Sequence, residues 1–198
     1  MLTFDINQSP PTRHELDAEK LRLTQFKKQL IKQSIFSDSI HGGALLLLYL
    51  ADLLTGYGLL AVIGLGTVIA LVLATSLKKL KAADLMTVAF VAIAAAFAVG
   101  GTVYGFPDET IIGSVLAGII TGSIIMFSTL IGRWLLRVFN GLEQLKSLAE
   151  YEYAEQEMLL LCRENPRLED YRQQALDILR PNLTFGELQS MRDYATSK

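Results

Sequence analysis

Cysteine is nearly absent from this 198-residue chain: Cys162 stands alone, so no intrachain disulfide can form. With His14 and His41 as the only histidines, far apart, no Cys/His metal ladder exists either. The soluble parts are therefore expected to suit a reducing cytosol. Catalytic signatures are missing too: there is no phosphate-cradling glycine loop with Lys-Ser/Thr, no HExxH and no GxSxG. The expectation is a protein that is not an enzyme and calls for no cofactor or metal. A basic domain is also lacking, because the sequence pI is about 5.7 and residues 141–198 carry seven Lys/Arg against eleven Asp/Glu. That balance disfavours nucleic acid as a partner.

What the chain has in quantity is apolar residues, 51% of the total, concentrated between about Ser39 and Phe139. Such concentration predicts an all-α integral membrane protein. Between Ser39 and Leu77 the only charged residue is Asp52. A straight helix of that length would reach roughly 58 Å, about twice the hydrocarbon core, so a turn is required. Thr55-Gly56-Tyr57-Gly58 is the natural place, since two glycines supply backbone freedom. The reading is a four-helix transmembrane bundle over 34–139, with spans at about 34–55, 57–77, 83–104 and 109–139. Residues 1–33 form a cytosolic segment with an amphipathic helix, and 140–198 a cytosolic helical extension of the fourth span. Because 1–33 is polar, no secretory signal is expected and the first span is retained.

Lys and Arg fall on one side of that bundle. Lys20, Arg22, Lys27, Lys28 and Lys32 precede the first span, Lys78, Lys79 and Lys81 separate the second from the third, and Arg133, Arg137 and Lys146 follow the fourth. The two other connections have no Lys or Arg. Cytoplasmic flanks retain positive charge, so both termini are expected in the cytoplasm, at a plasma membrane of bacterial inner type.

The two ends carry start signals for helices. Thr12 with Glu15, and Thr184 with Glu187, have capping-box spacing, and Asn165-Pro166 reads as a cap followed by proline in the first turn. The first few residues look disordered. Leu16, Leu23, Phe26 and Leu30 recur at helical spacing and describe a helix lying on a leaflet or packed on the protein's own tail. Leu135, Val138, Leu142, Leu145 and Ala149 step by three and four, which predicts a coiled-coil-like seam.

Small residues at four-residue spacing let membrane helices approach closely. Gly58, Gly66, Ala70 and Ala74 do so in the second span, Ala92, Ala96 and Gly100 in the third, and Ser114, Gly118 and Gly122 in the fourth. They serve packing within one bundle or contacts between subunits of a homo-oligomer. Asp52 is the one carboxylate well inside an apolar segment, where ionised burial would cost about 2.5–3.5 kcal/mol. It is either an intramembrane polar site, with Tyr49 and Tyr57 nearby in sequence, or an interfacial residue about one turn from the loop. His41 with Asp38 could form a pH-sensitive pair, or His41 is simply interfacial. The expected function is an assembly or anchoring subunit, with lipid, a second copy and a cytosolic or membrane protein as partners. The alternative is a homo-oligomeric pore gated through its cytosolic helices.

Overall fold

A computed structural model describes residues 2–77 and 85–197; the side chains of residues 70, 74–77, 85 and 86 lie outside that description. The described residues are helical, in the order α1 (Arg13–Leu50), α2 (Gly56–Leu77), α3 (Leu85–Tyr104), α4 (Ile111–Gln144), a 3₁₀ turn (Leu148–Glu150), α5 (Glu152–Glu164), α6 (Pro166–Asp177) and α7 (Phe185–Thr196). No strand occurs among them. The expected Lys78, Lys79 and Lys81 loop and the start of the third span at 83 fall outside the described residues.

Three helices are long and apolar enough to cross a bilayer, within α2, α3 and α4. The apolar stretch of α2, Gly56–Leu73, is only 12% buried. Leu60, Ile63 and Val68 on α2, Phe90, Ile93 and Phe97 on α3, and Ile112, Val115 and Ile119 on α4 are all exposed. Exposed apolar surface of this extent marks contact with lipid or with another protein.

The first expected span is not a separate element. It is the second half of α1, a single 38-residue helix that begins at Arg13 and also includes the predicted amphipathic segment. This half carries Ser34, Ser37, Asp38, Ser39 and His41. No stretch of α1 is among those apolar enough to span by composition.

The chain forms two compact units, one of residues 29–135 and one that joins residues 1–28 to 136–198. In the first, Leu45 and Leu54 pack with Val62, Val99, Val103 and Ala117, and Ile125 packs with Ala92 and Ala95. The α3–α4 contact is built by small residues. A side chain at Gly100 would meet the Ser114 carbonyl at 3.0 Å, one at Gly122 the Ala92 carbonyl at 2.9 Å, and one at Gly118 would overlap the Ala96 carbonyl. The pairing runs antiparallel, with Gly100 opposite Ser114 and Ala92 opposite Gly122. Backbone contact this close gains dispersion energy that larger residues would prevent.

In the second unit the core comprises Ile6, Leu148, Ala154, Met158, Cys162, Leu168, Tyr171, Ala175, Leu183, Leu188 and Met191. Three helices, α1, α6 and α7, start on side-chain caps, whereas α5 follows Tyr151 with no side-chain cap bond. Thr12 and Glu15 form their capping box, Asn165 accepts from the Arg167 amide ahead of Pro166, and Thr184 with Glu187 caps α7 on both sides. The α4 helix stops at Gln144, so the expected seam does not continue through Leu145 and Ala149 as helix. Lys146 and Ser147 turn the chain there, with Leu148 donating to the Leu183 carbonyl and Phe185 to the Lys146 carbonyl.

Candidate functional site

Two polar constellations organise the described residues, one in each unit. The first joins two turns. At the end of α1, the Asp52 amide donates to Tyr49 and the Leu53 amide to Leu48, and Asp52 has φ 54°. This is a Schellman cap with Asp52 in the left-handed position usually held by glycine. The turn therefore lies at Ala51–Thr55, ahead of Gly56 and Gly58, both of which sit in the first turn of α2 with no positive φ.

Gly58 serves a close approach instead. Thr55 caps α2 by accepting from the Gly58 amide at 3.2 Å. In a capping box the third helical residue would return a carboxylate to the Thr55 amide, but that residue is Gly58. Glu109, 54 positions on, fills the role: its Oε1 accepts from the Thr55 amide at 2.9 Å and from the Thr55 hydroxyl. A Cβ on Gly58 would collide with the Glu109 carboxylate and with Leu54. Thr110 adds a reciprocal link, donating from Oγ1 to the Leu53 carbonyl at 3.2 Å while accepting from the Gly113 amide at 2.9 Å to start α4. Asp108, at φ 67°, lies beside an open groove of about 440 Å³ lined by Thr55, Gly56, Tyr57, Leu60 and Pro107.

The sequence-predicted intramembrane residues are distributed as follows. Asp52 is exposed at its cap, where it meets Tyr49 through the backbone alone; among the described interactions no side-chain bond joins it to Tyr49 or Tyr57. Ala92, Ala96, Gly100, Ser114, Gly118 and Gly122 converge on one α3–α4 contact. Gly66 lies against the Thr121 methyl, and the side chains of Ala70 and Ala74 are outside the description. Ser114 and Thr121 are buried, and their hydroxyls donate to the carbonyls four residues back, those of Thr110 and Ala117. His41 turns its Nδ1 to the Ser37 carbonyl at 2.7 Å and packs its ring 6.1 Å from Phe127. A carbonyl only accepts, so Nδ1 carries the proton. Of the seam residues, Val138 is buried, Leu135, Leu142 and Leu145 are half-buried and Ala149 is exposed.

The second constellation holds the two chain ends together. Arg180, 5% exposed, pairs through Nη2 with fully buried Glu187 and donates from Nη1 to the Pro11 carbonyl at 2.8 Å. The Tyr171 hydroxyl donates to the same Glu187 oxygen at 2.9 Å, and the other oxygen accepts the Thr184 amide at 2.8 Å. Burial, reinforced by the Glu187 charge, pushes the Tyr171 hydroxyl pKa far up, so it stays a donor. Ser190 donates to the Phe4 carbonyl at 2.8 Å, and the Phe4 ring lies where a Gly186 side chain would stand.

The opening residues are thus an ordered strap, although the sequence reading treats them as disordered. Their signal is the alternation of Leu2, Phe4 and Ile6 with Thr3, Asp5 and Asn7, a period of two that fits an extended segment with one face buried. Glu187 is read from sequence as a cap alone; its second role as the partner of Arg180 depends on tertiary placement.

The fold defines a class: an all-helical protein with three helices long and apolar enough to span a membrane, and with a separate compact helical unit made from both chain ends. No protein-family model, curated protein or solved structure matches this chain.

Proposed function

We propose that this protein is a four-crossing membrane anchor that presents a cytoplasmic helical domain for assembly with a protein partner. The observation that carries this reading is the hydrogen bond from Arg180 to Pro11. A domain built from both ends of one chain requires both ends on the same face of a bilayer, hence an even number of crossings between them. Three apolar helices qualify by length and composition. Residues 29–50 of α1 are the fourth: they extend roughly 33 Å, close to the hydrocarbon thickness of about 30 Å. Ile35, Phe36, Ile40, Leu46, Leu47 and Leu50 expose apolar surface there, while Leu45 packs in the bundle core. The links from Thr55 to Glu109 and from Leu53 to Thr110 support the same count by joining the α1–α2 and α3–α4 turns at one end. Lys20, Arg22, Lys27, Lys28, Arg137 and Lys146 support a cytoplasmic location for the joined ends, in a plasma membrane of bacterial inner type.

Assembly is favoured over a pore because the small-residue stripes of α3 and α4 are spent on each other within one chain. Self-association would have to use other faces. Co-purification from native membranes in mild detergent tests the reading. Deleting residues 141–198 should release the partner and leave the chain in the membrane; a partner retained by the truncated chain rejects the docking role.

A further inference from the structure

We infer that the outer face of α5 receives a basic amphipathic helix of a partner protein, an inference that rests on the docking reading above. Ala154, Met158 and Cys162 recur every four residues and turn one side of α5 into the core. The opposite side carries Tyr153, 79% exposed, with Leu160, 55% exposed, two turns further along the same line, and Leu159, 42% exposed. Single exposed apolar residues are ordinary, but three within eight positions make a ridge.

Charge selects the occupant. Glu152, Glu155 and Glu164 are exposed beside the ridge, with Arg163 as the one basic residue exposed on α5. Glu157 is already engaged, accepting from Arg192 at 2.7 and 2.6 Å. An anionic leaflet would be repelled by this rim. The same face of a second copy would bring like charges together. A helix with leucines on one side and lysines flanking them meets both requirements: apolar anchors against Tyr153 and Leu160, and opposite charge at the rim.

The test uses full-length protein in nanodiscs of zwitterionic lipid and two fluorescent amphipathic probe helices, one of leucine and lysine, the other of leucine and glutamate. Anisotropy should show the lysine probe bound and the glutamate probe free. Tyr153→Ala with Leu160→Asp should weaken the lysine probe by about tenfold or more, the effect of losing central anchors. Glu152→Lys, Glu155→Lys and Glu164→Lys together should transfer the preference to the glutamate probe. Unchanged binding after the first pair, or an unchanged preference after charge reversal, overturns the inference. All five side chains are exposed, so circular dichroism melts should match the parent. A native partner that stays bound to these variants but leaves on deletion of residues 141–198 would also overturn it, with the docking reading intact.

Discussion

Arg180 donates a 2.8 Å hydrogen bond from Nη1 to the carbonyl of Pro11, 169 positions earlier in the chain. The same guanidinium pairs with buried Glu187, so one side chain ties the strap before α1 to the cap of α7. Its Nε has no hydrogen-bond partner among the described residues. The Arg180 charge therefore depends heavily on Glu187.

Removing one member of this pair should leave a buried charge unmatched. Glu187→Leu or Arg180→Met alone is expected to destabilise the joined-end domain by about 3–5 kcal/mol. The double substitution should cost clearly less than the sum, because neither charge then remains. Denaturant melts of the four proteins, followed by the circular dichroism of the helical domain, give the coupling directly. Additive losses would show that the pair is not coupled.

The turn clamp should respond to loss of either the carboxylate or its space. Glu109→Ala removes acceptors from the Thr55 amide and hydroxyl, worth about 1.5–3 kcal/mol for bonds to a charged group. Gly58→Ala forces its Cβ into the same carboxylate and into Leu54, so it should loosen the clamp with Glu109 intact. Hydrogen exchange at the Thr55 amide should rise in both variants, whereas Gly56→Ala, with open space at its Cβ, should leave exchange nearly unchanged.

Leu179 occupies a left-handed position, φ 57°, and is 88% exposed. Its amide donates to Leu176 and the Arg180 amide to Ala175, the Schellman pattern that normally takes glycine. Leu179→Gly relieves about 1–2 kcal/mol of steric cost and returns part of it as unfolded-chain entropy. A net gain of about 0.5–1 kcal/mol in the melting of the domain is expected. Leu179→Ala should give none.

Cys162 gives the domain an alkaline limit. Burial pushes its thiol from the ordinary 9.0 up to about 11. The folded pKa is raised, so this contribution to stability is complete below pH 9 and is lost as pH rises from about 9 to 11. At the acid end, Arg192 holds the Glu157 carboxyl below its ordinary value of 4.5, so that contribution is present above pH 4.5 and lost as pH falls through the depressed range. Alkylation of Cys162 should be slow at pH 8 in the folded protein and rapid once denaturant is added; fast alkylation of the folded protein would contradict its burial.

How much of this was readable in advance depended on the range of the interaction. Long apolar segments and local caps declare themselves: α2, α3 and α4, the Thr12 box, Asn165-Pro166 and the Thr184 box all follow from neighbouring residues. The turn after α1 did not, because its left-handed residue is Asp52 while glycines nearby offered a more obvious hinge. Gly58 is needed for its missing side chain, against a carboxylate 54 positions away, and no local pattern carries that. The meeting of Pro11 with Arg180 is longer-range still. Charge asymmetry and the joined domain are separate grounds for the proposal that both ends lie on one side.

Sidedness of the two ends is the most direct measurement of the central claim. In a Cys162→Ala background, single cysteines at Ser9, Ser197 and Asp108 can be labelled in intact cells with a membrane-impermeant maleimide. The account predicts that Asp108→Cys reacts from outside, while Ser9→Cys and Ser197→Cys react only after the membrane is opened. Labelling of Ser9→Cys and Ser197→Cys from opposite faces would contradict it, because the chain would then cross an odd number of times and the domain built from both its ends could not form.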